Sequence, residues 1–215
     1  GYDARNITIE REQGGKKKEF TMELYGQPQY GWIVMTDDGH PYLYTEIQSE
    51  NDWRTMEVFD LKGEEIRHVG TSNDSPHGAL LNDPDGFYLT RRVDALGTYD
   101  AYRKFHVGES GMPVAENDVY TKVNVCDSKE DEAALVSTRE LPVTMMEADG
   151  SEKEEKLPVG TKYYVRATDL ENFVDMELSD GRRCRLAVKK SDKGWGFEID
   201  GVYEEDCFEF IPYAG

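Results

Sequence analysis

Val174-Asp-Met-Glu-Leu178, the turn Ser179-Asp180-Gly181 and the return Cys184-Arg-Leu-Ala-Val188 form the stretch that decides the fold. Val174, Met176 and Leu178 alternate with polar neighbours, and so do Cys184, Leu186 and Val188. Side chains alternate across a strand, so each segment turns one apolar face to a shared core. Downstream, the turn at 191–194 feeds Trp195, Phe197 and Ile199, again at period two. Asp200-Gly201 then leads to the closing segment Phe208-Glu209-Phe210-Ile211. Upstream, Leu157-Pro158-Val159-Gly160-Thr161 precedes Tyr163-Tyr164-Val165. Residues 139–215, read as about five or six short strands, suit a small closed barrel, because closure removes the edges that an open sheet of this size would expose.

The first half reads the same way. Strands are predicted over 20–25, 31–36, 41–48, 54–60, 64–69, 86–93, 99–107 and 119–125, separated by Asp38-Gly39, Lys62-Gly63 and Asp85-Gly86 as tight turns. An internal repeat is expected here. Asp38-Gly39, Tyr42, Val58 and Gly63 align with Asp85-Gly86, Tyr88, Phe105 and Gly111 at a spacing of about one four-stranded propeller blade. Two copies are too few for a closed propeller, which needs at least about four blades. The expectation is therefore a blade-like meander or β-sandwich over 1–126. Between the halves, Ser128 as a cap, the acidic run 129–132 and Ala133-Ala134-Leu135-Val136 predict a helical linker over 127–138. The fold class is all-β.

Of 215 residues, 25 are Lys or Arg and 44 are Asp or Glu, a formal charge of −19. With 11% aromatics the chain reads as folded, since disordered acidic chains are aromatic-poor. The field of such a molecule repels nucleic acid and anionic lipid, and neither is expected as a partner. Lys16-Lys17-Lys18 is the purely basic triplet, beside Gly14-Gly15, where a solvated loop is the favoured reading over a binding arm. No apolar run approaches the roughly 18 residues of a membrane span, so no transmembrane segment is expected. The chain starts at Gly1 without Met, which fits removal of a targeting segment. Cys126, Cys184 and Cys207 lack CxxC spacing. Buried free thiols are the favoured reading over a bridge between Cys184 and Cys207.

Leu157-Pro-Val-Gly-Thr161 before an apolar strand, followed by Gly194-Trp195-Gly196, Ile199 and Gly201, resembles the bacterial SH3-like modules of cell-envelope proteins. The likeness covers roughly residues 139–215. Val202-Tyr203-Glu204-Glu205 stands where the family has a second Gly-Tyr-Val, and 149–156 reads as a charged hairpin loop. The resemblance implies a secreted or lipid-anchored, extracytoplasmic protein that recognises a wall peptide, a glycan or another protein.

The chain carries few patterns of catalytic chemistry. His40, His68, His77 and His106 lie in separate segments, none in HExxH or a comparable metal pattern. Asp206-Cys207-Phe208-Glu209 keeps two residues of the nucleophile motif of wall peptidases, with no helix after it to lower the thiol pKa. GxSxG, GxxxxGK[ST] and GxGxxG after a strand are missing, and Thr36-Asp37-Asp38-Gly39 misses the sialidase spacing Ser-x-Asp-x-Gly. Asn73-Asp74 and the cluster 82–86 could offer oxygens to calcium, but Asx side chains that cap turns are the favoured reading. No metal or cofactor is therefore expected. Trp32, Trp53, Tyr42, Tyr44, Tyr99 and Tyr102 could form a stacking platform; core packing is favoured for Trp32 and Trp195. The ligand-site expectation is a groove lined by Tyr163, Tyr164, Trp195 and Tyr203, with Trp195 inside or at the mouth of the barrel. A non-catalytic binding module is the leading expectation. A glycan-directed hydrolase using an unidentified carboxylate pair is the alternative, and a structural spacer a third.

Overall fold

A computed structural model of the chain describes residues 4–50, 53–76, 86–123, 132–192 and 194–214. The chain divides into two compact units, one of residues 1–91 and 102–117, the other of 92–101 and 118–215. Nearly all regular structure is antiparallel strand, as period-two patterning predicts.

The first unit opens with β1 (Ala4–Gln13) and β2 (Lys16–Tyr25), a hairpin of ten facing pairs from Ala4 opposite Tyr25 to Gln13 opposite Lys16. Next come β3 (Gln27–Met35), β4 (Pro41–Gln48), β5 (Arg54–Asp60) and β6 (Arg67–Ser72), a four-stranded meander in chain order. Tyr44 faces Val58 across β4 and β5, and alternation puts Tyr42, Tyr44, Met56 and Val58 on one side of the sheet. That side is buried with Val34, Phe87, Leu89 and Phe105. Phe59 points to the opposite side, where Phe20 of the hairpin meets it edge-on at 5.8 Å. In this unit the two-stranded β1–β2 sheet thus meets one face of the four-stranded sheet through Phe20 and Phe59. Three buried acids meet basic side chains: Glu57 accepts from His68 Nε2 at 2.7 Å, Asp60 from His40 Nε2 at 2.7 Å, and Asp74 from Arg91 at 3.2 Å.

The repeat survives only as strand spacing. β7 (Phe87–Asp94) and β8 (Thr98–Val107) follow the predicted offsets, with β9 (Pro113–Ala115) against β8. However, Tyr42 is 4% exposed and its counterpart Tyr88 is 54% exposed. Burial is therefore not shared at this pair, although the aligned Val58 and Phe105 are both buried.

The second unit takes residues 92–101 of the β7–β8 hairpin and adds β10 (Tyr120–Lys122), β11 (Leu135–Val136), β12 (Leu141–Met146), β13 (Glu152–Leu157), β14 (Lys162–Thr168), β15 (Phe173–Leu178) and β16 (Arg183–Ala187). The hairpin that opened the sequence reading is β15–β16, with Val174 opposite Leu186 and Met176 opposite Cys184, each at most 1% exposed. Its outer face carries a bidentate Arg185–Asp175 pair at 2.7 and 2.9 Å, the guanidinium lying 3.7 Å from the Phe173 ring centre. Arg166 joins Glu177 at 2.9 Å and Glu132 at 2.8 Å, and Lys122 reaches the same Glu132 at 2.7 Å.

Three expectations are corrected here. The strands run in the open order β13-β12-β16-β15-β14-β10-β8-β7, and among the described residues no ladder joins the ends into a barrel. Phe208–Ile211 does not close it either, since Phe208 makes a single bridge to Ser137. The charged stretch read as a loop contains a strand, β13, whose Glu and Lys side chains keep one border of the sheet in water. The predicted helical linker is not helical over its described part, 132–138: Val136 is paired with Lys162, and Leu135 is buried against that ladder rather than along a helix face. Residues 127–131 lie outside the described residues, as does Cys126.

Candidate functional site

The short strands β17 (Lys189–Lys190), β18 (Phe197–Ile199) and β19 (Val202–Tyr203) form a small sheet of the second unit. Just before β18 the chain carries Gly194-Trp195-Gly196, closed by the Ser191 N–H donating to Gly196 O at 3.0 Å. Gly196 sits at φ +95°, a left-handed backbone that suits glycine, and a Cβ there would lie 2.5 Å from Glu204 Oε1 and 2.7 Å from the Tyr203 hydroxyl. This break takes Trp195 out of the alternation that buries Phe197 and Ile199. Trp195 is 60% exposed rather than shielded.

Its exposure does not leave it loose. Tyr203 Oη donates to Trp195 O at 2.8 Å, and the Tyr213 ring meets the indole edge-on with centroids 4.7 Å apart. Tyr213 in turn donates to Glu204 Oε1 at 2.6 Å. Glu204 is fully buried in the turn Glu204–Asp206. Burial pushes its carboxyl above the ordinary carboxylate range, against the opposing pull of the Tyr213 hydroxyl and the Phe197 and Leu96 N–H groups. The product is an exposed Trp195 whose main chain is held by Tyr203 and whose ring is braced edge-on by Tyr213, itself tied to the buried Glu204.

Glu204 makes folding pH-dependent with a definite sign. A carboxyl whose folded pKa lies above its unfolded value contributes stability that is complete below the unfolded pKa and is lost as pH rises through the folded one. Glu204→Gln is expected to have a melting temperature close to that of the parent at pH below the ordinary carboxylate range and to gain on it as pH rises above that range. Thermal melts followed by near-ultraviolet circular dichroism check this; parallel melting curves of parent and variant would refute it.

Of the four predicted ligand residues, the structure brings Trp195 and Tyr203 together. Tyr163 is 0% exposed, with its ring edge-on to Phe208 at 6.0 Å, and Tyr164 is buried with the Arg166 guanidinium 5.7 Å from its ring centre. As neighbours on β14 they point to opposite faces, so one groove cannot take both. Tyr213 and Glu204 belong to the site, and their signal in the sequence was faint: a single Tyr near the end of the chain and an acid in an acidic run.

The remaining candidates disperse. Tyr42 and Tyr44 are core, Tyr99 packs against the second core, Trp53 is 40% exposed, Trp32 is half-buried beside Tyr30 at 5.7 Å, and Tyr102 stands edge-on to Tyr88 at 5.5 Å. His40 stacks on Tyr42 at 4.4 Å, and His77 and 82–85 lie outside the described residues. Asp74 turns to arginine rather than to an open loop. Among the described residues no group of three or more His, Cys, Asp or Glu is placed to hold a metal ion. Cys184 and Cys207 are free and buried; burial pushes the Cys184 thiol up to about 12 and raises Cys207 as well, which disfavours the reactive thiolate at both. No described helix is long and apolar enough to cross a membrane. Comparison with family models, with curated proteins and with solved structures finds no match.

Proposed function

We propose that this chain is a non-catalytic binding module of a bacterial cell envelope, extracytoplasmic and secreted or lipid-anchored, that engages a wall peptide, glycan or protein through the Trp195 shelf. The observation that carries the reading is Trp195, 60% exposed, with its main chain held by Tyr203 and its ring met edge-on by Tyr213. A pre-fixed aromatic surrenders little conformational freedom on binding, which is why Trp and Tyr dominate recognition hot spots. The SH3-like pattern of Leu157–Thr161 and Gly194–Gly196 supports the envelope assignment, and the burial of Cys184 and Cys207, which disfavours their thiolates, fits a role without nucleophilic chemistry at these two residues.

Calorimetric titration with soluble wall fragments, both stem peptides and short glycan chains, tests it. One class is expected to bind, and Trp195→Ala to weaken that binding at least about tenfold, the loss typical of a central aromatic anchor. Unchanged affinity in Trp195→Ala, or release of new reducing ends from the glycan, would overturn the proposal, the latter in favour of a hydrolase.

A further inference from the structure

The basic triplet acquires a meaning on folding that its linear order hides. In the β1–β2 ladder Arg11 faces Lys18 and Gln13 faces Lys16, so these four side chains share one face of the hairpin end. Lys17 points the other way, to Glu10 at 2.7 Å and Glu19 at 3.0 Å. On the first face lies a depression of about 560 Å³, completed by the β5–β6 loop with Lys62, Gly63 and Glu64. Four cations and one carboxylate line it, in a molecule of net charge −19.

The cations are only partly neutralised by neighbouring carboxylates. The Arg11 guanidinium donates to the carbonyls of Leu61 and Gly63, uncharged acceptors that fix its fork and leave its charge in place. Among the described residues Lys16 has no carboxylate partner. Lys18 meets Glu65 at 2.9 Å and Lys62 meets Asp38 at 3.3 Å, and these two carboxylates are 74% and 68% exposed. Exposed, solvent-screened pairs of this kind contribute little, so an incoming anion with several acceptor oxygens can exchange for them at little cost.

We propose that this depression is a binding site for a small phosphorylated molecule, a phosphate monoester or pyrophosphate. Phosphate fits because its oxygens accept several charge-assisted hydrogen bonds at once from an oriented guanidinium and mobile ammonium groups. Size is limited by the field. Within a Debye length of about 8 Å the local cations dominate, whereas a long polyanion would run onto the acidic remainder of the surface. The site is distinct from the Trp195 shelf and stands or falls without it.

The test compares two substitutions of identical charge on adjacent residues. Pyrophosphate and glycerol phosphate are titrated calorimetrically at low salt into the parent chain, Lys16→Glu and Lys17→Glu, with thermal melts confirming that both variants fold. The parent is expected to bind saturably, Lys16→Glu to lose about tenfold or more, and Lys17→Glu to lose less than about twofold, because only the first reverses a charge inside the depression. Equal weakening by the two variants would reduce the effect to net charge and overturn the site. So would the lack of saturation up to about 10 mM ligand. Vesicles containing phosphatidic acid form a separate arm: capture by those vesicles without binding of the soluble phosphates would also overturn the proposal, pointing to a lipid surface.

Discussion

Gly111→Ala is expected to unfold the first unit. Gly111 sits at φ +90°, where L side chains are strained, and a Cβ there would lie 2.1 Å from Tyr42 Cε1 and 2.5 Å from Cδ1. The ring cannot step aside. Tyr42 is 4% exposed, and His40, tied to Asp60 at 2.7 Å, stacks flat on it at 4.4 Å. Moving the backbone instead would break the bond from the Tyr44 hydroxyl to Gly111 O, 2.7 Å long and buried. Overlap, backbone strain and an orphaned hydroxyl together cost about 4 kcal/mol or more, comparable with the whole stability of a small unit. Hydrogen exchange should show protection lost across β4 and β5. Protection retained there would mean that Tyr42 and Gly111 do not pack as described.

The second large effect belongs to the hairpin from which the sequence reading began. Leu186 is 0% exposed and paired with Val174. Leu186→Ala is expected to destabilise the second unit by about 2–5 kcal/mol, the transfer loss plus the cavity left behind. Leu186→Met, which nearly conserves volume, should cost less than about 1.5 kcal/mol. Urea unfolding of both variants, followed by near-ultraviolet circular dichroism, measures the contrast. Equal losses would show that the site collapses around either side chain and is not tightly packed.

What the sequence made legible was parity. Wherever apolar and polar residues alternate over five or more positions, as in 174–188 or 41–60, strand, face and partner strand all follow from the side-chain period. Three readings failed because parity was missing or misread. β13 has no apolar alternation to detect, since Glu152-Lys-Glu-Glu-Lys156 spends its length in solvent and only Leu157 is buried. Ala133-Ala134-Leu135-Val136 has helical composition, but its pairing with β14 overrides propensity. Trp195 shares its spacing with Phe197 and Ile199, yet the left-handed Gly196 between them resets the phase and turns the indole outward.

The candidate sites were harder to read for the same reason. A triplet of lysines counts as one run in a sequence, but on a strand it divides into two residues facing one side and one facing the other, and only the ladder with β1 brings Arg11 to the same side. Asp60 shows a similar dependence on tertiary context. Burial alone would raise its carboxyl, but the Lys62 N–H, His40 and Arg67 outweigh that and hold it below the ordinary range. His40, Asp60 and Arg67 stand far enough apart in the chain that no spacing motif announces them.

The outer border of β13 has a consequence for how this molecule meets its own kind. Lengthening the sheet from that side would require an incoming chain to strip hydration from a row of ammonium and carboxylate groups before any main-chain pairing could compensate. At this border, the ladder that began with two apolar stripes meets its terminus in water, and stacking of one molecule onto the next is discouraged by the residues that looked least structural.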